Sequence, residues 1–206
     1  MPKYDVLKAI KQLNSPVFTT YDITAGSGKS GSAVTQALNY LARQGLIRKI
    51  YRGIWIEEGS ENVSQYTVIP FLFPRQRAYV SFISALHLYG IIEQIPQVIT
   101  LASTSHTKIV RTKLGAFSVH QISPGFFDGF GWYQGKGSFL IAEPEKALVD
   151  TLYLSAHKKK QFRHFPELRF PKTFSFKKVK AWIDLIPSGK TRCNVETKLK
   201  EIIRQR

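Results

Sequence analysis

Several things are scarce in this sequence, and each scarcity removes a class of protein. Cysteine occurs once, at Cys193, so an internal disulfide and a thiolate-cluster metal site are both excluded. Apolar runs stay short of the roughly 18 residues that a membrane-spanning helix requires. The opening MPKYDVLKAIKQLN carries charges throughout and lacks the apolar core of a secretory signal, which points to an intracellular, cytoplasmic protein. The five histidines, at positions 87, 106, 120, 157 and 164, show no metal-ligand spacing, and no cofactor is expected. No internal repeat or low-complexity segment is present.

Acidic residues are also few, 14 against 30 Lys and Arg, which gives a formal net charge of +16. The excess is uneven. Residues 1–60 hold eight basic and four acidic side chains, residues 61–156 seven and six, and residues 157–206 fifteen and four. A one-sided balance of this size points to a polyanionic partner, because each neutralised phosphate releases condensed counterions. With 43% hydrophobic and 13% aromatic residues, the composition is otherwise that of a folded chain.

The most informative stretch is 31–56, GSAVTQALNYLARQGLIRKIYRGIWI. Val34, Ala37, Leu38 and Leu41 recur at helical spacing and define one apolar stripe ending at Gly45, a residue suited to a helix C-cap. The opposite face offers Ser32, Thr35, Gln36, Asn39 and Arg43. Two short apolar runs follow, 46–50 and 54–56, joined at Tyr51-Arg52-Gly53. Upstream, residues 3–13 place Tyr4, Leu7 and Ile10 on one helical face. Val17-Phe18 reads as a short extended piece, Thr19 or Thr20 as the cap of a short second helix, and 26–31 as a turn with Ser30 or Ser32 as the next cap. Helix, short helix, turn, helix and hairpin make a winged helix-turn-helix over residues 1–60. In such a unit the third helix reads base edges, where Gln and Asn suit adenine and Arg suits guanine. The expected DNA contacts are therefore Lys29, Ser32, Thr35, Gln36, Asn39 and Arg43, with Arg48, Lys49 and Arg52 on the hairpin. Trp55 and Ile56 read as core.

The acidic break 57–62 marks the expected domain boundary. Residues 61–206 read as a mixed α/β domain, so the fold class is α+β. The stretch 78–90, including Ala78, Phe82, Ala85, Leu86 and Tyr89, suits a buried helix ending at Gly90. Strands are expected at 97–102, 108–114, 116–122 and 138–142, with turns or an irregular hairpin over 126–137. A helix from Pro144 buries Ala147, Leu148, Thr151 and Leu152, and two basic helices follow at 176–186 and 191–206. A second basic surface is expected from Lys158, Lys159, Lys160, Arg163, Lys177, Lys178 and Lys180. The aromatics among them, Phe162, Phe165, Phe170 and Phe174, could stack on bases but read mainly as core.

Two catalytic readings compete with simple binding. Gly28-Lys29-Ser30 imitates the end of a phosphate-binding loop, but Ile23 stands where the first glycine belongs. Glu143, Glu145 and Asp150 could serve a metal-dependent nuclease targeted by the first domain. Capping and the helix dipole explain glutamates beside Pro144 more simply, so no enzyme activity is expected. A transcription factor with a ligand-sensing second domain is a further alternative.

Three blocks resemble the AbiEi-type antitoxins of abortive-infection toxin–antitoxin systems: LARQGLIRKIYRGIWI, YVSFISALHLYGIIEQIPQVITLAS and IAEPEKALVDTLYL. They fall within residues 1–155 in that family's order, and the last fifty residues match only in being basic and helical. The resemblance implies a repressor that binds inverted repeats upstream of its own operon. It also implies a second domain that counteracts a nucleotidyltransferase-type toxin, in many cases without a stable complex.

Overall fold

The computed structural model describes residues 2–61, 63–74, 77–135, 138–156 and 166–204. The chain is α+β and divides into two compact units. The first comprises Met1–Arg75 with Arg111–Gly115 and Gly135–Ser138; the second comprises Gln76–Val110, Ala116–Gln134 and Phe139–Arg206. Among the described residues no helix is long and apolar enough to cross a membrane.

The first unit begins with helix α1 (Pro2–Gln12), strand β1 (Val17–Thr19), helix α2 (Thr20–Ser27) and helix α3 (Gly31–Arg43). Strands β2 (Ile47–Tyr51) and β3 (Ile54–Glu57) form a hairpin, and β1 pairs antiparallel with β3, giving sheet order β1-β3-β2. A short helix, α4 (Ile69–Leu72), follows. The caps explain where these elements start and stop. Thr19 Oγ1 accepts from the Asp22 N–H at 3.1 Å while the Asp22 carboxylate accepts from the Thr19 N–H at 2.8 Å, a reciprocal capping box that opens α2. Ser30 Oγ accepts from the Ala33 N–H at the start of α3. At its end the Leu46 N–H reaches the Leu41 carbonyl and the Gly45 N–H reaches Ala42, with Gly45 at φ 71°. That Schellman closure needs a left-handed residue and turns the chain straight into β2. The core joins Val6, Ala9 and Ile10 of α1 to Val34, Ala37, Leu38 and Leu41 of α3, with Phe18, Ile23, Ile47 and Trp55 between them.

A six-stranded mixed sheet of order β6-β7-β5-β4-β9-β8 lies mainly in the second unit. Its strands are β4 (Ala78–Val80), β5 (Ile99–Ser103), β6 (Lys108–Thr112), β7 (Gly115–Gln121), β8 (Phe130–Trp132) and β9 (Leu140–Ala142). Helix α5 (Phe82–Leu88) follows β4, and α6 (Pro144–Ala156) packs against α5, α7 (Phe176–Asp184) and α8 (Gly189–Arg204). The expected helix from Ala78 is a correction. Ala78, Tyr79 and Val80 form a strand paired antiparallel with β5, and Val80 pairs with Ile141 of parallel β9. All three residues of this strand are buried, so no alternation betrays it, and the helix starts only at Phe82. Within the stretch expected to form turns or an irregular hairpin, Phe130–Trp132 pairs antiparallel with β9 as an edge strand.

Candidate nucleic-acid interface

The α3 periodicity sorts its side chains cleanly. Val34, Ala37, Leu38 and Leu41 are buried, while Ser32, Thr35, Gln36, Asn39 and Arg43 are exposed. The Thr35 hydroxyl donates back to the Gly31 carbonyl at 2.7 Å, so it offers an outside partner mainly its acceptor lone pairs and its methyl group. Lys29 is exposed in the turn before α3, where its Nζ lies 3.2 Å from Asp5 Oδ2.

On the hairpin, Ile47 and Ile50 point inward and both Arg48 and Lys49 are exposed. Strict alternation would bury Lys49. The register shift between Lys49 and Tyr51 resolves the conflict, letting two successive cations face solvent without breaking the pairing to β3. Arg48 Nε lies 3.2 Å from Glu58 Oε2, and Lys49 Nζ stands 5.3 Å from the Trp55 ring centroid. Trp55 itself is buried, its indole N–H donating to Thr20 Oγ1 at 2.9 Å, and Ile56 is buried beside it in the sheet. Arg52 is exposed in the hairpin turn. Neither Arg43 nor Arg52 has an ion-pair partner among the described residues.

The second basic surface is only partly described. Lys158, Lys159, Lys160 and Arg163 lie outside the described residues, as do Phe162 and Phe165. Lys177, Lys178 and Lys180 are exposed on α7, with Lys178 Nζ 3.9 Å from Glu143 Oε2. Phe170 and Phe174 pack on each other and on Phe176 at centroid distances of 4.5 to 5.2 Å, half-buried. The three rings form one mutual aromatic cluster.

The acidic residues weighed for catalysis have structural partners. Glu145 is buried in the first turn of α6, where a carboxylate suits the helix dipole, and it accepts from the Ser175 N–H at 2.8 Å, so it also braces the start of α7. Asp150 is fully buried in a cluster that sequence reading missed. Lys146, one turn before it on α6, donates to Asp150 and to Tyr79 Oη, the latter at 3.1 Å. Tyr79 Oη and Ser81 Oγ both donate to Asp150 Oδ2, at 3.1 and 2.7 Å. The Lys146 ammonium also sits 3.8 Å from the Phe126 ring centroid. Burial, then the Asp150 charge, pushes the Tyr79 hydroxyl well above the usual tyrosine range. The sequence EKALVDTLYLSA places Lys146 and Asp150 at i, i+4, and α6 is buried on nearly every face, so neither has a wet side to occupy. Among the described residues no group of three or more His, Cys, Asp or Glu side chains gathers as a metal site.

Comparison with protein-family models gives no match for this chain, and a search of curated proteins gives none either.

Proposed function

We propose that this chain is a DNA-binding transcriptional repressor that autoregulates a toxin–antitoxin operon. In this reading residues 1–60 act as a winged helix-turn-helix. Helix α3 enters the major groove, Gln36, Asn39 and Arg43 meet base edges, and Lys29, Arg48, Lys49 and Arg52 hold phosphates. One observation carries the reading. All nine polar and basic residues are exposed, while Val34, Ala37, Leu38, Leu41 and Ile47, threaded between them, are buried in one core. The positive balance of the chain supports a polyanionic partner. An inverted-repeat operator would seat two copies, related as its half-sites are.

The second unit is proposed, on the resemblance to AbiEi-type antitoxins, to counteract a nucleotidyltransferase-type toxin without catalysis of its own. The lysines of α7 are its proposed contact with nucleic acid or an acidic partner. A reporter fused to the DNA upstream of the gene tests the repressor half. Wild-type protein should lower expression, and Arg43→Ala/Arg52→Ala should restore it; equal repression by both sinks the assignment. Co-expression with the product of a neighbouring nucleotidyltransferase gene tests the other half, through rescue of growth.

A further inference from the structure

Two acidic side chains touch the proposed reading surface, and they touch different ends of it. Asp5, on α1, holds Lys29 in the turn before α3; Glu58, just past β3, holds Arg48 on the hairpin. The four side chains are 41% to 47% exposed, so both pairs stand in water and exchange readily. The other nearby acids are committed elsewhere, Asp22 to the α2 capping box and Glu57 to Lys11. The cations of the surface thus fall into two groups. Arg43, Lys49 and Arg52 present an uncancelled charge to an approaching phosphate. Lys29 and Arg48 present a dipole, whose field dies away well inside the roughly 10 Å over which salt screens a free charge.

Resting on the DNA-binding reading, we propose that Asp5 and Glu58 are specificity-determining residues, internal competitors that a phosphate must displace before Lys29 and Arg48 engage. A loosely docked duplex, held only by long-range attraction, leaves both pairs largely closed and gains little from the two cations. A duplex seated by base contacts from α3 brings its phosphates within contact distance, where the charge-assisted exchange proceeds. Generic DNA is therefore held more weakly than the count of cations predicts, and the operator loses less.

The test uses full-length protein and fluorescence-anisotropy titrations against two duplexes: one from the DNA upstream of the gene, and a scrambled version of it. Asp5→Asn and Glu58→Gln should each tighten binding to the scrambled duplex about two- to fivefold, the range of an exposed ion pair. The double variant should also steepen its salt dependence, by up to about 0.9 in log–log slope per freed cation. The upstream duplex should gain less, so the ratio between the two falls. Glu93→Gln makes the same charge change in the second unit, where Glu93 pairs with Arg169, and should move neither titration. Specific wild-type binding with no tightening beyond Glu93→Gln overturns the proposal alone, and so does equal tightening on both duplexes. Wild-type protein that binds neither duplex overturns the DNA-binding reading along with it.

Discussion

Replacing Lys146 by methionine keeps most of the side-chain volume and removes the cation of a fully buried cluster. Asp150 would then keep two of its donors, the Ser81 and Tyr79 hydroxyls, and lose the ammonium that balances its charge. Breaking a buried pair from one side costs about 3–5 kcal/mol, because a buried charge is left uncompensated. The two remaining donors argue for the lower half of that range. The lost contact with the Phe126 face works the other way, a desolvated cation–π contact being worth about 2 kcal/mol. A loss near 4 kcal/mol is a large share of the roughly 5–15 kcal/mol that holds a domain folded. The double replacement Lys146→Met/Asp150→Asn removes the stranded charge while leaving an acceptor for Ser81 and Tyr79, so it should recover part of that loss. Urea unfolding followed by tryptophan fluorescence reads the effect, since Trp182 lies 5.6 Å from the Lys146 ammonium while Trp55 reports on the first unit. The second-unit transition should move and the first-unit transition should stay. A single variant that costs less than about 1 kcal/mol, or a double variant that costs the sum of both singles, would refute the reasoning.

Other perturbations probe separate links. The Tyr89 hydroxyl donates to the Ala142 carbonyl at 2.9 Å, and burial pushes its pKa from 10.0 up to about 12. The unfolded chain therefore ionises first as pH rises, so the second unit loses stability between pH 10 and about 12; Tyr89→Phe should flatten that loss relative to wild type in alkaline melts. Gly129 has φ 75°, and a Cβ there would overlap the Trp182 ring and crowd Lys146. Gly129→Ala should destabilise the second unit by about 1–3 kcal/mol in urea titrations, combining overpacking with backbone strain. Thr19→Ala removes one half of the α2 capping box and should cost the first unit about 1 kcal/mol by the same method, with little change if α2 is held mainly by packing.

Sequence reading worked best where a single period governs the residues. Val34, Ala37, Leu38 and Leu41 can share one face only as a helix, and Gly45 marks its end, so α3 and its exposed side were legible in full. The hairpin was legible too, although not the register shift that turns Lys49 outward. That shift answers to the pairing with Trp55, not to any local pattern. The second unit was harder to read because its central elements are buried on all sides. Ala78-Tyr79-Val80 and the following helix form one mostly apolar stretch, with Ser81 at the junction the single mark between a three-residue strand and a helical turn. The Lys146–Asp150 pair escaped notice for a related reason: its partners Tyr79 and Ser81 lie about seventy positions away and meet it only through tertiary packing. The Asp5–Lys29 and Arg48–Glu58 pairs likewise depend on where α1 and the end of β3 lie within the folded unit.

The central claim is that α3 and its hairpin read a particular DNA sequence. A gel-shift titration against the DNA upstream of the gene tests it most directly, run at two salt concentrations with scrambled competitor and with the Arg43→Ala/Arg52→Ala protein alongside. The account predicts a discrete complex that survives competitor and is lost with those two arginines. Equal binding to scrambled DNA that collapses as salt rises would show only the generic attraction of a chain carrying +16, and would contradict it.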